Sequence, residues 1–210
     1  MTVFYLPIEP LNERYTEQWY RWFPAEFERQ GSGCVVIEGH PLLADEIKVG
    51  TFLDINSTLH YKAEQLKKVA DLFHRRQVNP RDCFFVADIE FFGIEAIRYL
   101  SVLNNVPVKI VGFAHAGSYT RGDFMEPCLP FARYYETGWG EICDVVCVGS
   151  EYHKDVLKKR RFTAKGAAKI VVTGNPYFLE ALIAVENLDS TSGCDAGARD
   201  TYIRACANSN

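Results

Sequence analysis

Residues 83–117 read CFFVADIEFFGIEAIRYLSVLNNVPVKIVGFAHAG, and they decide the fold. Cys83-Phe-Phe-Val-Ala87 is short and wholly apolar, the composition of a strand in the middle of a parallel sheet covered on both faces. Ile94, Ile97, Tyr99, Leu100 and Leu103 then wrap most of a helix, which predicts a deeply buried one. Val106 to Phe113 forms the next strand and ends at Ala114-His115-Ala116-Gly117. A strand, a helical segment and a second strand in this order are the mark of a βαβ unit.

The same alternation continues outward in both directions. Upstream, Thr2-Val-Phe-Tyr-Leu6 is a strand closed by Pro7 and Pro10. A helix follows with Tyr15, Trp19, Phe23 and Phe27 on one face, and Pro24 is expected to kink or restart it. Gly31-Ser-Gly33 ends that helix, and Cys34-Val-Val-Ile37 is the second strand. Residues 39–56 read as irregular. Ser57 is the expected N-cap of a helix carrying Leu59, Ala63, Leu66, Ala70 and Phe73 on one stripe, with Lys and Arg opposite. Asn79-Pro80 breaks it. Downstream, Phe131 to Ile142 reads as a helix, Asp144 to Val148 as a strand and Glu151 to Arg161 as a helix capped by Ser150. Lys169 to Thr173 is the last strand, followed by a helical turn or two over Tyr177 to Val185. The expected fold is α/β, a Rossmann-like doubly wound, mostly parallel sheet of about six or seven strands with helices on both faces. It spans residues 1–185. From about Glu186 few large apolar side chains remain, so residues 186–210 are expected to form a flexible polar tail. No internal repeat is visible.

Composition narrows the function. A formal net charge of −4 gives no global basic field for nucleic acid. The 7 cysteines make an odd count, without CxxC spacing or a Cys/His zinc pattern. Cys34, Cys83, Cys143 and Cys147 sit in or beside apolar runs, where free Cys acts as a small hydrophobe in a reducing compartment. MTVFYLPIEP lacks the basic and long apolar regions of a signal peptide, and no run is long enough to span a membrane. A cytoplasmic location is expected.

In open α/β sheets ligands bind at the carboxyl ends of the strands. Glu9, Asn12 and Arg14 follow the first strand, and Asp88 and Glu90 follow Cys83–Ala87. His115, Ser118, Tyr119, Arg121 and Asp123 follow the strand ending at Phe113. Ser150 and Glu151 follow Val148, and Thr173, Gly174 and Asn175 close the last strand. His115 precedes Ala-Gly-Ser, small residues that let a ligand approach, and an imidazole there suits a general base or a hydroxyl partner. The bland alternative is a histidine held by local backbone bonds. Asp88 and Glu90 are close enough to shift each other's pKa, and one of them could take a proton from a hydroxyl. Equally, they could complement the dipole of the following helix. Ser150 reads as a cap; an anion at that helix start would meet Glu151. His153 is expected to face solvent. The basic run from Lys154 to Lys169 is either a solvated helix end or a salt-dependent contact for an acidic acceptor such as DNA. The aromatic set Tyr15, Trp19, Trp22 and Phe23 is either core or a stacking platform for a sugar or base.

Three blocks, in order, resemble the N-terminal domain of GT-B glycosyltransferases. DCFFVAD with VPVKIVGFAHAG is similar to the family's polar-ended strand, buried helix and "Val-Pro-Val" strand leading to a histidine, here His115. CDVVCVGSEYHKDVLKK resembles the "D-x-V-x-x-x-S-E-x-x-x-x-x-L" unit, and KIVVTGNPYF resembles the strand that ends the N-terminal domain. The opening, with Pro7-Ile-Glu-Pro10 and the aromatic helix, resembles the starts of glycosyltransferase-like proteins of large bacteriophages. The resemblance implies transfer of a sugar from a nucleotide-sugar co-substrate to a hydroxyl acceptor, with no bound metal or other cofactor. It places His115 against donor sugar or acceptor, makes Asp88 or Glu90 the candidate base, and gives Glu9, Asn12, Ser118, Arg121, Ser150 and Asn175 substrate-binding roles. Two departures stand out. Glu9-Pro-Leu-Asn-Glu13 replaces the family's Gly-rich first loop. The second Rossmann-like domain, which carries most donor contacts in the family, is expected from another domain or chain. A non-catalytic α/β binding module derived from such an enzyme is the alternative.

Overall fold

The computed structural model describes residues 1–11, 14–41, 54–160, 162 and 169–176. The expected helix over 177–185, the tail over 186–210 and Asn12 lie outside the described residues. Among the described residues six strands pair in parallel throughout: β1 (Thr2–Leu6), β2 (Gly33–Val36), β3 (Cys83–Val86), β4 (Lys109–Ala114), β5 (Val145–Val148) and β6 (Lys169–Val172). Their spatial order is β2-β1-β3-β4-β5-β6. Among the described residues five α-helices connect them: α1 (Tyr15–Arg29), α2 (Ile55–His74), α3 (Ile94–Leu103), α4 (Leu129–Ile142) and α5 (Glu151–Lys159). The architecture is a Rossmann-like α/β sheet, as the alternating pattern predicts.

Strand side chains alternate between two cores. Val3, Tyr5, Phe85, Val111 and Phe113 pack with Trp19, Trp22, Phe23 and Phe27 of α1. Phe4, Leu6, Phe84, Val86 and Ile110 face the other way, toward Val69 and Phe73 of α2, Ile94 and Ile97 of α3 and Trp139 of α4. The aromatic face of α1 is therefore mainly core, and α1 runs unbroken through Pro24.

Two helices differ from expectation. α2 begins earlier, because Asp54 rather than Ser57 is the N-cap, its side chain accepting from the Ser57 amide at 3.0 Å. Its buried face is also rotated. Ser57, Tyr61, Lys62, Gln65, Val69 and Phe73 are buried, while Leu59 is 51% exposed. α3 is not buried all round. Ile94, Ile97 and Ser101 face the sheet, whereas Tyr99, Val102 and Leu103 are each more than half exposed. It is a one-layer covering helix, fastened by Arg98, which donates to the Ile142 and Val108 carbonyls and pairs with Asp144 at 2.8 Å.

The strand order reverses between β1 and β3: the chain leaves β1 outward to β2 and then returns to the other side. Such a switch point opens a crevice beyond the carboxyl ends of the two strands.

Candidate functional site

The crevice at the switch point contains a cavity of about 170 Å³, whose lining includes Glu9, Lys62, Asp88, Glu90, His115 and Asp123. Glu9 arrives on the turn after β1, Asp88 and Glu90 on the turn after β3, and His115 directly after β4. Fold topology thus brings together four residues spread over more than half the sequence. Arg14 and Tyr15 stand on the same wall.

Lys62 is the member that sequence reasoning missed. It reaches in from α2, pairs with Asp88 Oδ2 at 2.8 Å and donates to the Glu90 carbonyl. Burial alone would lower its pKa, but the carboxylates of Asp88, Glu9 and Glu90 outweigh burial and raise it. The signal was present in the spacing: Lys62, Gln65, Val69 and Phe73 share one helix face. Placing every lysine of α2 opposite the apolar stripe hid it.

The two neighbouring acids titrate apart. Burial pushes the Asp88 carboxyl up, yet the Lys62 ammonium, His115 and the Glu90 amide, which donates to Oδ1 at 3.1 Å, together bring it below the usual range. Glu90 goes the other way. Burial and the Asp88 charge raise it to about 8, so it is a protonated acid at neutral pH. Two carboxyls with pKa values driven apart by their surroundings are the pattern that separates a proton donor from a fixed charge.

His115 has its orientation set by the backbone. Nε2 lies 2.8 Å from the Ala87 carbonyl, which can only accept, so Nε2 carries the proton and Nδ1 is the basic nitrogen. The ring packs beside Trp19 at 5.2 Å, Tyr15 at 5.7 Å and Phe113 at 4.5 Å between centroids. Burial lowers its pKa by more than Asp88 raises it, which keeps the imidazole neutral and able to take a proton at pH 7. Trp19 and Tyr15 thus serve as core and as the backing of this histidine.

A second cavity, about 650 Å³, also has His115 in its wall. Arg121, Lys159, Arg160, His153, Ser150 and Asn175 contribute to its wall, and among the described residues no carboxylate does. Ser150 caps α5, its hydroxyl accepting from the His153 amide at 3.2 Å. Asn175 sits against Gly149, where a Cβ would lie 2.6 Å from its amide oxygen. His153 does not face solvent freely: its Nε2 is 2.8 Å from the Tyr119 hydroxyl, and burial lowers its pKa. In the basic run Lys154 pairs with Glu151, while Lys159 and Arg160 border this cavity.

Ser118 is placed elsewhere. It is 1% exposed, and its amide and hydroxyl both donate to Glu136 at 2.8 Å. That pair holds the loop after β4 onto α4. Among the described residues no three His, Cys, Asp or Glu side chains converge as ligands for a metal ion. No helix among them is long and apolar enough to cross a membrane.

No protein-family model matches the chain, and no curated protein matches it either. The functional reading rests on the chemistry of the two cavities.

Proposed function

We propose that this chain is the acceptor-side domain of a GT-B-like glycosyltransferase, moving a sugar from a nucleotide-sugar donor to a hydroxyl. The observation that carries the proposal is the position of His115, which lines both the acid-rich cleft and the cation-lined cavity. Carboxyl groups suit hydroxyl compounds, which need acceptors as well as donors. Arginine and lysine suit the phosphates of a nucleotide sugar.

In this reading the acceptor occupies the cleft and presents its hydroxyl to His115. As the hydroxyl oxygen bonds to the anomeric carbon, its proton passes to Nδ1. The bond from that carbon to the donor's phosphate oxygen breaks, and the nucleoside diphosphate leaves with the electron pair. Arg121, Lys159 and Arg160 stabilise the charge that builds on it. Asp88, tied to Lys62, is a weak base and serves as the fixed charge beside the imidazolium. Glu90 enters protonated and hydrogen-bonds the acceptor.

The test is His115→Gln in the enzyme with its donor domain in place. Glutamine keeps a donor for the Ala87 carbonyl. Transfer should fall by about 10²-fold or more, the usual worth of a positioned proton acceptor. Stability should stay within roughly 1 kcal/mol of the parent. Lost stability with unchanged activity per folded molecule would make His115 structural and overturn the proposal.

A further inference from the structure

The acceptor cleft contains a carboxylate that has no hydrogen-bond donor among the described residues. Glu9 is 2% exposed, and neither carboxylate oxygen has a hydrogen-bond partner among the described residues. Glu90 Oε1, on the same cleft, is likewise buried and unpartnered. Other buried acids are satisfied. Asp82 accepts from the Thr2 and Asn79 amides, and Glu136 accepts twice from Ser118. Asp82 ties down a turn at the amino edge of the sheet and Glu136 ties down the loop after β4, whereas Glu9 ties down no loop among the described residues. A buried charged group without a partner is costly, and folds keep one where a ligand completes it.

The cleft's charge says which ligand. Lys62 is engaged by Asp88 and the Glu90 carbonyl, so those two charges cancel. Arg14 and Asp123 are of opposite sign, and Glu90 is neutral at pH 7. The lining keeps one net negative charge, and Glu9 is the carboxylate with no hydrogen-bond donor among the described residues. An ammonium group supplies one positive charge and three N–H donors. The three unfilled acceptor atoms, both Glu9 oxygens and Glu90 Oε1, match it in number. Ile8, Leu59 and Phe92 add apolar wall for the carbon skeleton.

We propose that the cleft selects an acceptor carrying a primary ammonium beside its hydroxyl, a vicinal amino alcohol such as a 2-amino sugar, with Glu9 as the counter-ion. This rests on the cleft being the acceptor site. The ammonium lies on the β1 side, against Glu9, and the hydroxyl lies on the β4 side, against His115.

Calorimetric titration of the chain with D-glucosamine, D-glucose and N-acetyl-D-glucosamine tests it, at a pH where the amine is charged. D-Glucosamine should bind about tenfold tighter or better than the other two, in line with a hydrogen-bonded charge pair. Glu9→Gln, shown to be folded by its melting curve, should bring D-glucosamine to parity with D-glucose. Equal binding of all three sugars by the parent would overturn the ammonium assignment and leave the acceptor cleft standing. A preference that survives in folded Glu9→Gln would overturn the role of Glu9. No binding of any of the three would overturn both the assignment and the acceptor site. Should Glu9→Gln not fold, the parent's ranking of the amine against its uncharged acetamide decides alone.

Discussion

Asp88 and Glu90 share one turn after β3, yet Lys62 touches the carboxylate of the first and only the backbone carbonyl of the second. That difference has a consequence for stability. Glu90 has its pKa raised from 4.5 to about 8, so between those values the folded chain keeps a proton that the unfolded chain has released. More protons bound in the folded state means that stability falls as pH rises through this window. Glu90→Gln carries a neutral group of the same shape and lacks the effect. Melting temperatures of parent and variant, compared from about pH 5 to about pH 8, should diverge in the variant's favour as pH rises. Parallel curves would mean that Glu90 ionises normally. Nothing in the sequence distinguished the two acids, because their spacing is symmetric and the lysine that separates them lies more than twenty residues upstream.

At the scale of one helix, α2 shows why apolar periodicity alone misplaced a residue that lines the cleft. The stripe through Leu59, Ala63, Leu66 and Ala70 is the more hydrophobic, but the face that the fold buries runs through Tyr61, Lys62, Gln65 and Val69. Gln65 is buried because its amide donates to the Pro7 and Ile37 carbonyls, each at 2.9 Å, and so braces the ends of β1 and β2. Backbone groups at the crevice need donors, and polar side chains on the inner helix face meet that need. The rotation makes an inverted prediction. Leu59→Lys, an apolar-to-charged change at an exposed position, should alter stability by no more than about 0.5 kcal/mol. Lys62→Met, a charged-to-apolar change, should cost about 3 kcal/mol because it strands the Asp88 carboxylate. Urea denaturation of both variants checks the pair, and the opposite ranking would put Leu59 inward. The misjudged burial of α3 has a related cause. Tyr99, Val102 and Leu103 make its sequence apolar all round, but a helix covering one sheet face buries only the side toward the strands.

Across the whole molecule, order and edge were legible while contacts were not. Short apolar runs such as Cys83–Val86 and Val145–Val148, separated by helical periods, have few solutions other than a covered parallel sheet. Once the sheet is parallel, the chemistry-bearing residues after each strand must share an edge. That is how His115, Asp88, Glu90 and Glu9 could be grouped from sequence. The division of that edge into two cavities was not legible, since it depends on where the strand order reverses and on how α2 and α5 flank the edge. Ser118 shows the limit from the other side: it follows β4 as closely as His115 does, but Glu136 holds it away from both cavities.

The central claim is that His115 stands between an acceptor cleft and a phosphate cavity. The most direct measurement is an NMR titration of the His115 imidazole, assigned by the signal lost in His115→Gln. D-Glucosamine and inorganic pyrophosphate are added separately and then together. Both should shift the His115 signal, each from its own side, and their shifts should add when both are present. If either ligand leaves the His115 signal in place at saturating concentration, the two cavities do not meet at this histidine and the account is contradicted.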